Sequence, residues 1–283
     1  MKRLHQLTEP EVLEIKQLLQ LCSENDKAVH PIHYGTNINL YREMPCYLMM
    51  YSDHLLVGYL SIFAINAFEG EICVIIHPSY RSKSIATELI EHAKGILKEH
   101  NYKQMLYVHN EFYEKGLDWI NKKQLRHHHT EYTLTFDKKT EISRATRLLV
   151  SKAMPSDAYR VAQISVNAFE DDFEPALSYV NACFELDNRT VYLGKLNYEP
   201  ICTLVVGNNN GELSINGVAV LKEHQGKGFG KEFISEVLHQ INANYHEVSI
   251  DVDHTNLAAY ELYKKIGFKE KSVTGYYVEP IDA

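Results

Sequence analysis

The chain has little to cross-link it. Its five cysteines, Cys22, Cys46, Cys73, Cys183 and Cys202, are odd in number, scattered, and nowhere spaced C-x-x-C. That pattern fits reduced, buried thiols better than disulfides or zinc ligands. No H-E-x-x-H or His/Cys metal spacing occurs. The run His127-His128-His129 falls in a strand-like stretch, where the middle side chain points away from the other two, so no metal is expected. Positive charge is also short: 29 Lys and Arg against 37 Asp and Glu give a formal charge of −8. This argues against nucleic acid as the main partner, because phosphate contacts need clustered cations. No apolar run approaches the roughly 18 residues of a membrane span. Met1-Lys2-Arg3-Leu4-His5 leads into no signal-type apolar core. The expectations are therefore no membrane partner and a cytoplasmic location.

What is present is an ordinary globular composition, 45% hydrophobic and 23% charged, at a length comfortable for two domains. The most informative stretch runs from Val218 to Lys231, VAVLKEHQGKGFGK. An apolar strand carrying Val218 and Val220 enters a turn in which Gln225, Gly228 and Gly230 are spaced Q-x-x-G-x-G, with Gly226, Lys227, Phe229 and Lys231 between and after them. Phe233, Ile234, Val237, Leu238 and Ile241 then recur at helical period, predicting a helix over 229–243. A helix start presents unpaired N–H groups and the positive end of the helix dipole, and glycine lets the backbone approach an anion closely. Lys222, Lys227 and Lys231 add local positive charge. A Rossmann G-x-G-x-x-G beginning at Gly226 would need a small residue at Lys231, and no G-x-x-x-x-G-K-[ST] lies nearby.

A second segment, Val248 to Phe268, reads as an alternating strand, a turn at His254-Thr255 and an amphipathic helix ending at Gly267. Asn256, Ala259, Leu262, Tyr263, Gly267 and Phe268 give N-x-x-A-x-x-L-Y-x-x-x-G-F. Asn256 can cap this helix or bond an amide-bearing ligand, and Gly267 suits a left-handed helix end. Together the two segments resemble the acyl-CoA site of the GNAT superfamily of N-acetyltransferases. The resemblance implies an α/β (α+β) fold, a mixed and mostly antiparallel sheet flanked by helices with one splayed parallel strand pair. It further implies acetyl-CoA as cosubstrate, bound by Val218, Val220, Gln225, Gly226, Lys227, Gly228, Phe229, Gly230, Lys231 and Asn256.

The pattern occurs twice. At an offset of 144 residues Val74-Ile75-Ile76 fall opposite Val218-Ala219-Val220, Arg81 opposite Gln225, and Ser84-Ile85-Ala86 opposite Gly228-Phe229-Gly230. The first half thus carries R-x-x-S-x-A, and aligning Asn121-Lys122-Lys123 with Tyr263-Lys264-Lys265 leaves it without the tyrosine and the glycine. Two tandem GNAT-like domains are expected: a degenerate copy over 1–139 and a catalytic domain over 140–283, joined at Asp137-Lys138-Lys139-Thr140-Glu141.

By the resemblance, a neutral amine attacks the thioester directly while bound beside it. An amine of pKa about 10.4 is neutral in only about one molecule in a few thousand at pH 7, a cost of about 4 to 5 kcal/mol, so a base or a water relay is useful. Asp251 is the candidate base, against the reading that Asp251 and Asp253 stabilise polar strand ends. Tyr263 stands where the family's general acid protonates the departing thiolate, against the reading of a core tyrosine. The acidic run Glu170-Asp171-Asp172 with Glu174 would suit a cationic acceptor or be a solvated loop. The acceptor is expected to be a small-molecule or peptide amine, and the oligomeric state, monomer or homodimer, stays open. The alternatives to an acetyltransferase are a non-catalytic acyl-CoA-binding module and a transferase with a different acyl donor.

Overall fold

A computed structural model describes every residue except 36, 138, 143, 144, 210, 242–244, 246, 282 and 283. In chain order the elements of the first half are β1 (Lys2–Leu4), α1 (Glu9–Asp26), β2 (Tyr47–Ser52), β3 (Leu55–Phe63), β4 (Glu69–Ile76), α2 (Ile85–Glu99), β5 (Gln104–Asn110), α3 (Glu114–Lys122) and β6 (Arg126–Asp137). Those of the second half are β7 (Leu149–Lys152), α4 (Ala158–Phe169), α5 (Phe173–Phe184), β8 (Arg189–Leu196), β9 (Glu199–Asn209), β10 (Glu212–Val220), α6 (Phe229–Gln240), β11 (Glu247–Asp253), α7 (Leu257–Ile266) and β12 (Lys269–Pro280). The helix expected over 229–243 is described to Gln240; residues 242 and 243 lie outside the described residues.

The chain forms two compact units, Met1–Glu131 with Ser272–Ala283, and Tyr132–Lys271. Relative to a simple cut at 139/140, each unit therefore takes its closing strand from the other half of the sequence. The physical reason is burial. In the first unit Tyr277 and Ile281 join a core built on Tyr59, Leu60, Leu89 and Leu97, whereas Leu134 and Phe136 belong to the core around Phe233 and Val237 in the second. Within the first unit the strand order is β1-β2-β3-β4-β5-β12, and within the second β6-β11-β10-β9-β8-β7.

Both units place one parallel pair among antiparallel ones. β4 pairs β5 in parallel over Glu69–Ile72 and Gln104–Tyr107, and β10 pairs β11 over Leu213–Ile215 and Val248–Ile250. In each case the strands run on past the last parallel pair, so their facing edges diverge without a partner. Local signals fix the helices around them. Thr8 opens α1 with a capping box to Glu11, with Pro10 in the first turn where a missing N–H costs nothing. Gly267, at φ +119°, closes α7.

Candidate functional site

The site in the second unit is built where β10 leaves β11. Between Asn216 and Ala219 the strand carries a bulge, one extra residue against β9, with Gly217 at φ +59°. Bulges re-aim backbone groups. Val218 and Val220 follow on the edge that has lost its β11 partner. A short turn, Lys222–His224, then leads to Gly226 at φ +71° and Gly228 at φ +86°, the residue that starts α6. A side chain at either glycine would meet open space, apart from Arg147 at 3.6 Å from Gly228. The left-handed backbone favours glycine there, and the emptiness leaves room above the loop. Gly230 has a different role: a Cβ would sit 3.2 Å from Leu262 and 3.7 Å from Val220, so its smallness lets α6 pack against α7.

The other loop residues divide by task. Gln225 turns back and donates from Nε2 to the carbonyl of Val220 at 2.9 Å, tying the turn to the strand. Phe229 is buried, while Lys227 and Lys231 are exposed beside the helix start. Lys222 is engaged elsewhere, its ammonium paired with Glu170 and its N–H donating to Asn167 at 2.8 Å. Sequence reasoning missed Arg147. Its Nη2 donates to the carbonyl of Lys227 at 2.8 Å, its guanidinium lies 4.2 Å over the Phe229 ring, and it pairs with Glu232 at 2.6 Å. No motif spacing marks it, because its partners Lys227 and Glu232 lie 80 and 85 residues along the chain.

On the facing strand Asp251 touches solvent yet is ringed by protein. That burial raises its pKa against the hydrogen bond with Thr133, which lowers it. Tyr263 on α7 is 6% exposed, and its phenol is pushed up to about 12, first by burial and then by the charge of Asp251. The structure thus brings Asp251 and Tyr263 into one electrostatic neighbourhood. Asn256 acts as a helix cap, its side-chain oxygen accepting from the N–H of Ala259 at 3.1 Å. Tyr260 bonds Glu270 and packs its ring 5.3 Å from Tyr132. Among the described residues no group of three His, Cys, Asp or Glu is placed to hold a metal ion.

The first unit repeats the backbone and replaces the chemistry. Ser82 and Ser84 occupy the left-handed conformations of Gly226 and Gly228, at φ +60° and +62°, and Arg81 donates from Nε to the carbonyl of Ile76 at 3.1 Å as Gln225 does to Val220. β4 pairs β3 without a bulge. Along the parallel pairs the two halves therefore match at an offset of 143, with Ile72 facing Tyr107 where Ile215 faces Ile250. By this register Val108 stands opposite Asp251. The helix starts, Tyr113 and Asn256, then put Ile120 opposite Tyr263. This corrects by one residue the alignment that sets Asn121 there.

A left-handed turn after the first strand of a diverging parallel pair, glycine-bearing in the second unit and serine-bearing in the first, belongs to an acyltransferase class of fold. Comparison with known proteins agrees. Residues 12–119 match the family described as Acetyltransferase (GNAT), and residues 194–278 match FR47-like protein. The chain belongs to the GNAT superfamily, in its tandem-domain form. Its fold is similar to a GCN5-related N-acetyltransferase from Sphaerobacter thermophilus, at TM-score 0.74 and 14% identity over 98% of this chain and 95% of that one. It is also similar to a tandem GNAT protein from the clavulanic acid biosynthesis pathway, at TM-score 0.73 and 13% identity over 96% and 95%. A putative acetyltransferase from Pyrococcus horikoshii matches at TM-score 0.60 and 13% identity, over 95% and 86%. No curated protein matches the sequence.

Proposed function

We propose that the protein is an N-acetyltransferase that moves an acetyl group from acetyl-CoA to a primary amine, with its active site in the second unit and a degenerate copy in the first. The observation that carries this reading is the edge of β10 that parts from β11 after the bulge and runs into the glycine turn, with the buried Tyr263 within the electrostatic reach of Asp251. The backbone around Gly226 to Lys231 would hold the pyrophosphate. The β10 edge from Val218 to Val220 would hold the amide-bearing arm and polarise the thioester oxygen. Asp251, whose raised pKa brings it nearer neutrality, takes a proton from the acceptor ammonium directly or through water. The neutral amine nitrogen bonds the acetyl carbon, the C–S bond breaks, Tyr263 gives its proton to the departing thiolate, and the proton shed by the new amide nitrogen restores the phenol through water.

Thiol release with a panel of amines tests the activity. Tyr263→Phe is expected to lower kcat by about 10²-fold, in the range of a general acid's contribution, with CoA affinity by calorimetry nearly unchanged. Equal turnover removes the acid role. Gly228→Glu places a carboxylate in the open space over the helix start and is expected to abolish CoA binding; unchanged affinity would refute the site.

A further inference from the structure

One face of the second unit's sheet carries an arginine without a counter-ion. Arg189 opens β8 opposite Gly207 on β9, Gly207 is opposite Ser214 on β10, and Ser214 is opposite Ser249 on β11. Residues in register across a sheet point to one face, so these four form a row. Asn216 and Asp251, two residues further along β10 and β11, lie on the same face. The glycine in the row has a structural reason. A Cβ on Gly207 would stand 2.6 Å from Arg189 Nη1 and 2.8 Å from Ser214 Oγ, so the guanidinium reaches across the bare strand towards β10. Tyr179 of α5 lies within its electrostatic reach, which places that helix on this face. Asn216 Nδ2 donates to Ser214 Oγ at 3.0 Å, and the serine proton is left as a further donor beside the guanidinium.

A guanidinium offers five N–H donors and a fixed positive charge. Among the described residues no acceptor takes any of these donors from Arg189, and no carboxylate pairs with its charge. Its Nε is also sealed from solvent, so water does not satisfy it, while the residue as a whole is half-buried. Glu212, two residues before Ser214 on β10, forms no ion pair with it. Arg147 and Arg160 of the same unit differ: the first pairs with Glu232 and the second donates to the carbonyl of Pro200 at 2.9 Å. Buried donors are ordinarily satisfied, and a half-buried charge is unfavourable until an opposite one meets it. A single arginine matches a singly charged carboxylate, whose two oxygens fit the fork of its N–H groups. Asp251 stands two strands and two residues from Gly207, on the order of 10 Å. A carboxylate held by Arg189 therefore belongs several bonds away from an amine at Asp251.

We propose that Arg189 anchors a carboxylate of the acceptor, so that the substrate is an amine bearing a carboxylate at the far end of a chain of several bonds. This rests on the reading of the second unit as an acetyltransferase, and two measurements keep the two apart. In the full chain labelled with ¹⁵N-arginine, the Arg189 Nε resonance is identified by its loss in Arg189→Met. At matched ionic strength it is expected to shift saturably with 6-aminohexanoate, and 6-aminohexanamide and hexylammonium to bind at least about tenfold more weakly, the loss of a charge-assisted hydrogen bond. Thiol release from acetyl-CoA is expected to favour the acid over its amide by at least about tenfold in kcat/KM, and Arg189→Met to erase that preference through KM with kcat nearly unchanged. No shift with the acid, equal binding or equal turnover of the amide, or a preference that survives Arg189→Met overturns the proposal. A saturable shift with the acid combined with no thiol release from any amine would instead overturn the acetyltransferase reading and leave the carboxylate site standing.

Discussion

At the scale of single residues, the sequence exposes those whose role depends on their own neighbours and hides those defined by distant ones. Gly228 and Gly267 are legible because a positive φ at a helix end is a local demand, which motif spacing records. His30 and His109 are not, since what fixes them is the Asp26 carboxylate pinned by Arg81, far along the chain, and the Tyr113 carbonyl at the start of α3. Their energetics give a pH test. Burial lowers both pKa values, and the bonds to Asp26 and to the Tyr113 carbonyl offset this only in part. The unfolded chain takes up these protons near pH 6.5, the folded chain only at lower pH. The stability they contribute is complete above about pH 6.5 and is lost as pH falls through the folded pKa values. The urea midpoint is expected to drop between about pH 7 and 5, and the double variant His30→Phe/His109→Phe to flatten that part of the profile. An unchanged slope would show that these imidazoles titrate as in the unfolded chain.

At the scale of elements, the two halves teach how a repeat diverges. The turns at Ser82–Ser84 and Gly226–Gly228 share a backbone that glycine adopts freely and serine only at about 1 kcal/mol or more per residue. The first turn keeps its conformation against that cost because Arg81 ties it to Ile76 and Asp26. The β10 bulge was the feature hardest to foresee. One inserted residue changes the offset along β10 from 143 to 144, and an alignment anchored on the turn is then off by one in the part of β10 before the bulge. After the turn the offset is again 143 in β11 and α7, which puts opposite Tyr263 Ile120, an aliphatic side chain that can fill space but donate no proton. The helix end at Gly267 supplies a simpler test. A Cβ there would sit 2.8 Å from the Thr140 methyl in addition to its strained φ. Gly267→Ala is expected to cost about 1 to 2 kcal/mol in urea unfolding, and a neutral result would mean that α7 can end elsewhere.

At the scale of the whole molecule, two domains were legible from the repeated motif, whereas the membership of their last strands was not. Strand propensity says that 126–137 and 269–280 are strands without saying which sheet each one completes. β12 pairs β5 through Thr274–Pro280 with Gln104–Asn110, and Tyr107 and Lys94 of the first unit both bond Glu279. Truncation after Lys271 is therefore expected to unprotect β5 amides in hydrogen exchange while leaving those of β9 and β10 protected; loss confined to the second unit would contradict the assignment. The same arrangement constrains how the protein is made. A ribosome releases residues 1–131 long before 272–281, so the first unit must wait, its β5 edge unpaired and its core short of Tyr277 and Ile281, until the last strand has been synthesised. Translation speed over the second half, and any chaperone that covers a bare strand edge meanwhile, thereby become determinants of yield for the half that was completed first in sequence.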